Sequence, residues 1–153
     1  MKHTGAAAAG TPGARRRSLA KRDYETLAEF RHVLRQFGAF SEAAARRAGL
    51  TAQQHQALLA VKGFPGREAV TVGDLAERLN LKHHSVVGLV DRLSARGLIQ
   101  RRHDEADRRR VMIALTAQAE TLLLELSLAH RDELRRLAPL LRTLLQGMEG
   151  AES

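Results

Sequence analysis

Between Thr71 and Leu115 two short helical patterns are followed at once by two short strand patterns, each change marked by residues suited to a turn. Thr71-Val72-Gly73-Asp74 reads as a capping box, in which the Thr hydroxyl and the Asp carboxylate each satisfy a helix amide that has no intrahelical partner. Leu75, Ala76 and Leu79 supply the apolar face behind it, so the spacing predicts a helix over Val72 to Leu79. Asn80-Leu81-Lys82 is a three-residue turn. Val86, Val87, Leu89, Val90 and Leu93 then carry a second helix to Gly97, a residue suited to the left-handed conformation that closes many helices. Leu98 to Arg102 and Val111 to Leu115 read as two short strands joined by the polar loop His103 to Arg110, which together make a hairpin.

Two short helices on a tight turn, followed directly by a hairpin, make a winged helix-turn-helix. In that arrangement the first helix braces the second, whose N-terminal residues enter a DNA major groove. The expected fold class is therefore mainly α with a small β-hairpin wing, flanked by N- and C-terminal dimerisation helices. On the N-terminal side, Tyr24, Leu27, Phe30, Leu34, Phe37 and Ala44 recur at helical spacing up to Gly49. Thr51-Ala52-Gln53-Gln54 is a second capping box, and Leu58, Leu59 and Val61 carry a helix to about Lys62 before the turn-rich Gly63-Phe64-Pro65-Gly66. On the C-terminal side, Thr116 caps a long segment containing Leu122, Leu123, Leu126, Leu134 and Leu137, and Pro139 opens a last helix through Leu140 to Met148. Residues 1–17 have no amphipathic pattern and are expected to be a disordered basic arm, more simply a flexible tail than a DNA contact. Residues 18–153 form one domain, with the winged helix-turn-helix at about 51–116 and dimerisation helices at about 20–49 and 117–148.

A chain of 153 residues suits one modest core. Lys and Arg number 25 against 17 Asp and Glu, for a net charge of +8, which favours a polyanionic partner. Cysteine is absent, which excludes disulfides, thiolate zinc sites and thiol redox sensing. No apolar run approaches the ~20 residues that span a bilayer, and the expected location is the cytoplasm. No nucleophile elbow, phosphate-binding glycine loop or catalytic constellation occurs, so neither enzyme activity nor a cofactor is expected.

The candidate DNA contacts fall on two elements. His83, His84, Ser85 and Arg92 sit on or near the recognition helix, where imidazole, hydroxyl and guanidinium groups meet base edges or phosphate, and Gly88 permits close approach of that helix. Asp107, Arg108 and Arg109 lie at or near the hairpin tip with Asp104 and Arg110. Consecutive arginines repel one another unless an anion or nearby carboxylates neutralise them, and a narrow minor groove supplies such an anion; the bland alternative is a solvated charged turn. Seven histidines raise the question of a metal site. Neighbouring His83 and His84 point about 100° apart on a helix, however, and no His-x-x-x-His pair exists, so no metal site is expected.

Thr71 to Leu79, Val90-Asp91-Arg92-Leu93 with Gly97-Leu98-Ile99, and Asp107-Arg108-Arg109 followed by Ala114-Leu115-Thr116 resemble the successive signatures of the MarR (multiple antibiotic resistance regulator) family, over roughly residues 22 to 148. The resemblance implies homodimeric regulators, usually repressors, that bind pseudo-palindromic double-stranded DNA operators and often release them when a small, commonly phenolic, ligand binds. It gives Arg109 the place of the wing arginine that reaches the minor groove, and Asp107 that of the carboxylate orienting it. Where relatives often carry Pro-Thr or Ser-Thr, this chain has His83-His84-Ser85, so the bases it reads do not transfer. Its ligand-binding residues are unknown at this stage. The alternative function is an effector-independent regulator or an architectural DNA-binding protein. Dimerisation has its own argument: the flanking helices carry more apolar surface than so small a module can cover, and a second copy would bury it.

Overall fold

The computed structural model of the chain describes residues 18–149. The expected basic arm, residues 1–17, and the last four residues of the expected domain lie outside the described residues. The elements are α1 (Lys21–Arg47), α2 (Ala52–Lys62), β1 (Ala69–Val70), α3 (Val72–Leu79), α4 (His83–Ala95), β2 (Ile99–His103), β3 (Val111–Leu115) and α5 (Ala117–Glu149). Helix start signals in the sequence are met by the bonds they call for. Thr51 Oγ1 accepts from the Gln54 amide at 3.1 Å while Gln54 Oε1 accepts from the Thr51 amide at 3.0 Å. Thr71 and Asp74 make the same reciprocal pair at 3.1 and 2.9 Å. Burial pushes the Asp74 carboxyl up, but the Thr71 amide and hydroxyl and the Arg67 guanidinium outweigh it and hold the group below its ordinary value. Thr71→Ala, which leaves the Asp74 amide without an acceptor, should cost ~1 kcal/mol in a urea unfolding titration. No loss would mean that water replaces the cap at no cost.

The helix stops also repeat. Within two residues of the ends of α1, α3 and α4, Gly49, Asn80 and Gly97 have positive φ (76°, 52° and 70°). The leucine that follows returns its amide to a carbonyl five residues back: Leu50 to Ala45 at 2.9 Å, Leu81 to Ala76 at 3.0 Å, and Leu98 to Leu93 at 3.0 Å. This is the Schellman arrangement, and its apolar partner residue is buried at Leu50 and Leu98. At Gly97 the left-handed turn drops the chain from α4 straight into β2, so the wing's position is set by the end of the recognition helix.

The expected hairpin is part of a larger sheet. The order is β1-β3-β2, all antiparallel, with Ala69 opposite Ala114 and Val70 opposite Ile113 on one side of β3. On the other side Ile99 faces Leu115, Arg101 faces Ile113 and His103 faces Val111. A two-residue strand is too short to show a period of two, so β1 left no alternation in the sequence. The core joins Leu58 and Val61 of α2, Leu75 of α3, Val86, Leu89, Val90 and Leu93 of α4, Ile113 of β3 and Leu123 and Leu126 of α5. Thr116 caps α5 as expected, accepting from the Ala119 amide at 3.2 Å and donating to the Gly97 carbonyl at 2.7 Å.

Pro139 does not open a separate helix: α5 is one helix of 33 residues with Pro139 inside it. A proline within a helix removes one amide and crowds the carbonyl four residues back, a cost of ~3 kcal/mol. Burial of Leu137 next to it and the extensive packing of α5 along α1 keep the helix running. No helix among the described residues is long and apolar enough to cross a membrane.

Candidate nucleic-acid interface

The side chains of the N-terminal turn of α4 are exposed and make no hydrogen bonds among the described residues. Lys82, at its N-cap, gives no side-chain cap. The side chains of His83, His84 and Ser85 are exposed, while Val86, Leu89, Val90 and Leu93 on the opposite face are buried. The hydrophobic period thus leaves the three polar residues on the outer face of a helix that is fixed by its core. Gly88 and Arg92 are one turn apart, and a Cβ on Gly88 would stand 3.3 Å from Arg92 Nη1. The space above Gly88 therefore receives the Arg92 guanidinium.

The wing tip is a rigid turn built by two aspartates. Asp104 Oδ1 accepts from the Ala106 amide at 2.9 Å, and Asp107 Oδ1 accepts from the Arg109 amide at 3.0 Å. Backbone bonds from Asp104 to Arg110 and from Arg110 to Asp107 close the loop at 3.0 and 2.9 Å. Asp107 Oδ1 also lies 3.4 Å from Arg109 Nε, so one carboxylate fixes both the backbone and the side chain of that arginine. The Arg109 side chain is nonetheless 93% exposed. Asp104 pairs with Arg110 at 3.7 Å, and Arg108 has no ion pair among the described residues. Asp104 and Asp107 are thus half-buried while Arg108, Arg109 and Arg110 are exposed beside Glu105, and exposed arginines on a tight turn are suited to insertion into a narrow, electronegative groove.

Two ties between elements were not read from the sequence. Asp91 on α4 forms an ion pair with Arg101 on β2, which braces the recognition helix against the wing strand. Arg96, at the C-cap of α4, donates from Nη1 to the Gly49 carbonyl at 2.7 Å and to Gln54 Oε1 at 3.2 Å, so the same helix is tied to the corner between α1 and α2. Neither has a local signal, because each joins groups from separate elements that are unremarkable in their own segments. His83, His84, Ser85, Gly88 and Arg92 thus lie on one element and Asp107, Arg108 and Arg109 on another, with the Asp91–Arg101 pair between them. Only Asp107 and Arg109 are in direct contact.

A sequence model described as the MarR family matches residues 48–110, which contain α2 to the wing tip. The transcriptional regulator HosA of Escherichia coli O157:H7 is 34% identical over 74 residues, 48% of this chain and 53% of HosA. The chain spans about a third to a half of the length of the curated relatives it matches. In three dimensions the chain is similar to AbsC, a MarR family transcriptional regulator from Streptomyces coelicolor, with a TM-score of 0.65, 21% identity and coverage of 78% of this chain and 80% of AbsC. It is also similar to a Staphylococcus aureus MepR mutant bound to an oligodeoxyribonucleotide, with a TM-score of 0.64, 20% identity and coverage of 85% and 98%. At these identities the two structures establish the fold, a mainly helical winged helix with a small antiparallel sheet. The sequence from α2 to the wing tip is thus similar to the MarR family, and the solved MarR family structure shares the fold around it.

Proposed function

We propose that the protein is a sequence-specific double-stranded DNA-binding transcriptional regulator, acting as a homodimeric repressor on a pseudo-palindromic operator and released from it by a small molecule. The observation that carries the reading is the wing: Arg109 is oriented by Asp107 and yet almost fully exposed. Beside it, His83, His84 and Ser85 line the outward face of α4, where base edges are read. Arg108 and Arg92 add charge for the phosphates, and Gly88 makes room for Arg92. The MepR mutant bound to an oligodeoxyribonucleotide shows that this fold engages nucleic acid in a relative, which supports the assignment.

The dimer is supported by what α1 and α5 leave exposed. Tyr24, Leu27 and Leu34 on α1 and Leu128, Leu134 and Leu145 on α5 are each 39–57% exposed in the single chain. Exposed apolar residues recur along these two packed helices, a second copy would bury them, and a two-fold axis matches a palindromic site. For the effector, the described residues offer a cavity of about 450 Å³ between α2 and α5, with Leu59, Leu134 and Ala138 as apolar walls and His55 and His130 as polar groups. Its size and mixed lining suit a small aromatic molecule.

Measuring affinity for an operator fragment against salt concentration tests the DNA assignment. Log Kd should change linearly with log salt, with a slope of about 0.9 per phosphate neutralised and several phosphates per dimer. A slope of zero between low and moderate salt would remove the assignment.

A further inference from the structure

Among the described residues, one buried side-chain polar atom lacks a hydrogen-bond partner, Nδ1 of His55. His55 lies on α2 and is 3% exposed. Its ring centroid is 4.7 Å from that of His130 on α5, and Phe37 and Phe40 of α1 stand edge-on to His130 at 5.9 and 5.3 Å. The three helices that join the flanking arms to the winged helix-turn-helix therefore meet at a pair of imidazoles.

The two rings are provided for differently. His130 Nδ1 is 2.7 Å from the Leu126 carbonyl, which only accepts, so that nitrogen carries a proton. Its Nε2 is 2.8 Å from Ser41 Oγ, and a hydroxyl donates to a neutral ring or accepts from a charged one. His130 thus keeps both bonds in either protonation state. His55 has no such provision: a second proton would place a charge in an apolar site beside another imidazole, with a donor left unpartnered. The charged groups that face the pair add no compensation. From α5 they are Arg131 and Arg135, both cationic, and no carboxylate lines the shared cavity. From α1 the neighbours are Phe37, Phe40 and Ser41, none ionisable. On α2 itself, Gln54 is held by Arg96, and Lys62 is engaged with Glu68 and Glu120 at the far end. The residues of α3, α4 and the sheet packed with α2 in the core are apolar.

We propose that the His55–His130 pair is a proton-operated latch: with His55 neutral, α2 is seated against α1 and α5, and uptake of a proton by His55 releases it, moving the attached winged helix-turn-helix out of its DNA-binding position. The latch rests on the fold alone, whereas its effect on DNA rests on the regulator reading above. Burial first, and the adjacent His130 second, hold the His55 imidazole below its ordinary value of 6.5. Above 6.5 neither the seated nor the released form takes up a proton, and the latch contributes fully. As the pH falls below that value the released form is protonated and the seated form is not. Seating weakens until the pH reaches the lowered value. Each unit between the two values shifts the equilibrium about tenfold.

The test compares the full chain with His55→Phe at about pH 7.5 and about pH 5.5, at constant ionic strength, within the range where histidine titrates. Thermal melts of the parent should fall further on acidification than those of the variant. The ratio of operator Kd at about pH 5.5 to that at about pH 7.5 should be larger for the parent than for the variant. His83 and His84 are common to both proteins, so their contribution to binding cancels in the comparison. Equal pH responses in melting would overturn the latch. A latch seen in melting with no difference in the Kd ratio would overturn its coupling to DNA. Should the variant fail to fold, an NMR titration of the His55 ring in the parent decides: a neutral ring well below pH 6.5 supports the latch, and ordinary titration with no change at α2 or α5 overturns it.

Discussion

Arg109→Ala should weaken operator binding by roughly 1–3 kcal/mol per protomer, so a dimer loses the contribution twice. The guanidinium is 93% exposed, and its backbone is fixed by Asp107 rather than by its own side chain. Truncation therefore removes a contact to the groove without loosening the wing, and stability should change by no more than about 0.5 kcal/mol. Asp107→Ala separates the parts of the effect. It frees the Arg109 backbone and side chain together, which weakens binding, but it also removes a negative charge that repels phosphate, so its loss should be the smaller of the two. Titration of a labelled operator at fixed salt measures both. A folded, dimeric Arg109→Ala protein that binds as tightly as the parent would remove the wing from the interface.

The second large effect lies in the core, away from any DNA contact. Leu58 is fully buried, in the core shared by α3 and α4 and the helices that flank them. Leu58→Ala removes buried methyl groups and leaves a cavity that the rigid surroundings fill only in part, at a cost of about 2–5 kcal/mol. A domain of this size has a total stability of about 5–15 kcal/mol, so the variant should lose a large fraction of it. Leu59 is adjacent in sequence but 46% exposed, on the side of the cavity between α2 and α5. Leu59→Ala should cost at most about 1 kcal/mol. Urea midpoints of the two variants test the contrast, and equal losses would mean that α2 faces the core differently.

The capping boxes at Thr51 and Thr71 and the helix ends at Gly49, Asn80 and Gly97 are local signals, each complete within six residues. For that reason the sequence was sufficient to place α2, α3 and α4 to within a residue or two. The wing was legible for the same reason, since an aspartate two residues before an arginine can bond that arginine's own amide without help from the rest of the chain. Residues from separate segments were another matter. The strand β1 exists only because β3 offers it a partner, and α5 continues through Pro139 only because α1 lies along it. His55 and His130 read in the sequence as two unrelated histidines on different helices. Their meeting, and the unpartnered Nδ1 that follows from it, depends on how α1, α2 and α5 pack. Side-chain periodicity determines which face of each helix is buried, but it does not specify which residues of two distant helices come to the same height, and only the tertiary structure decided that.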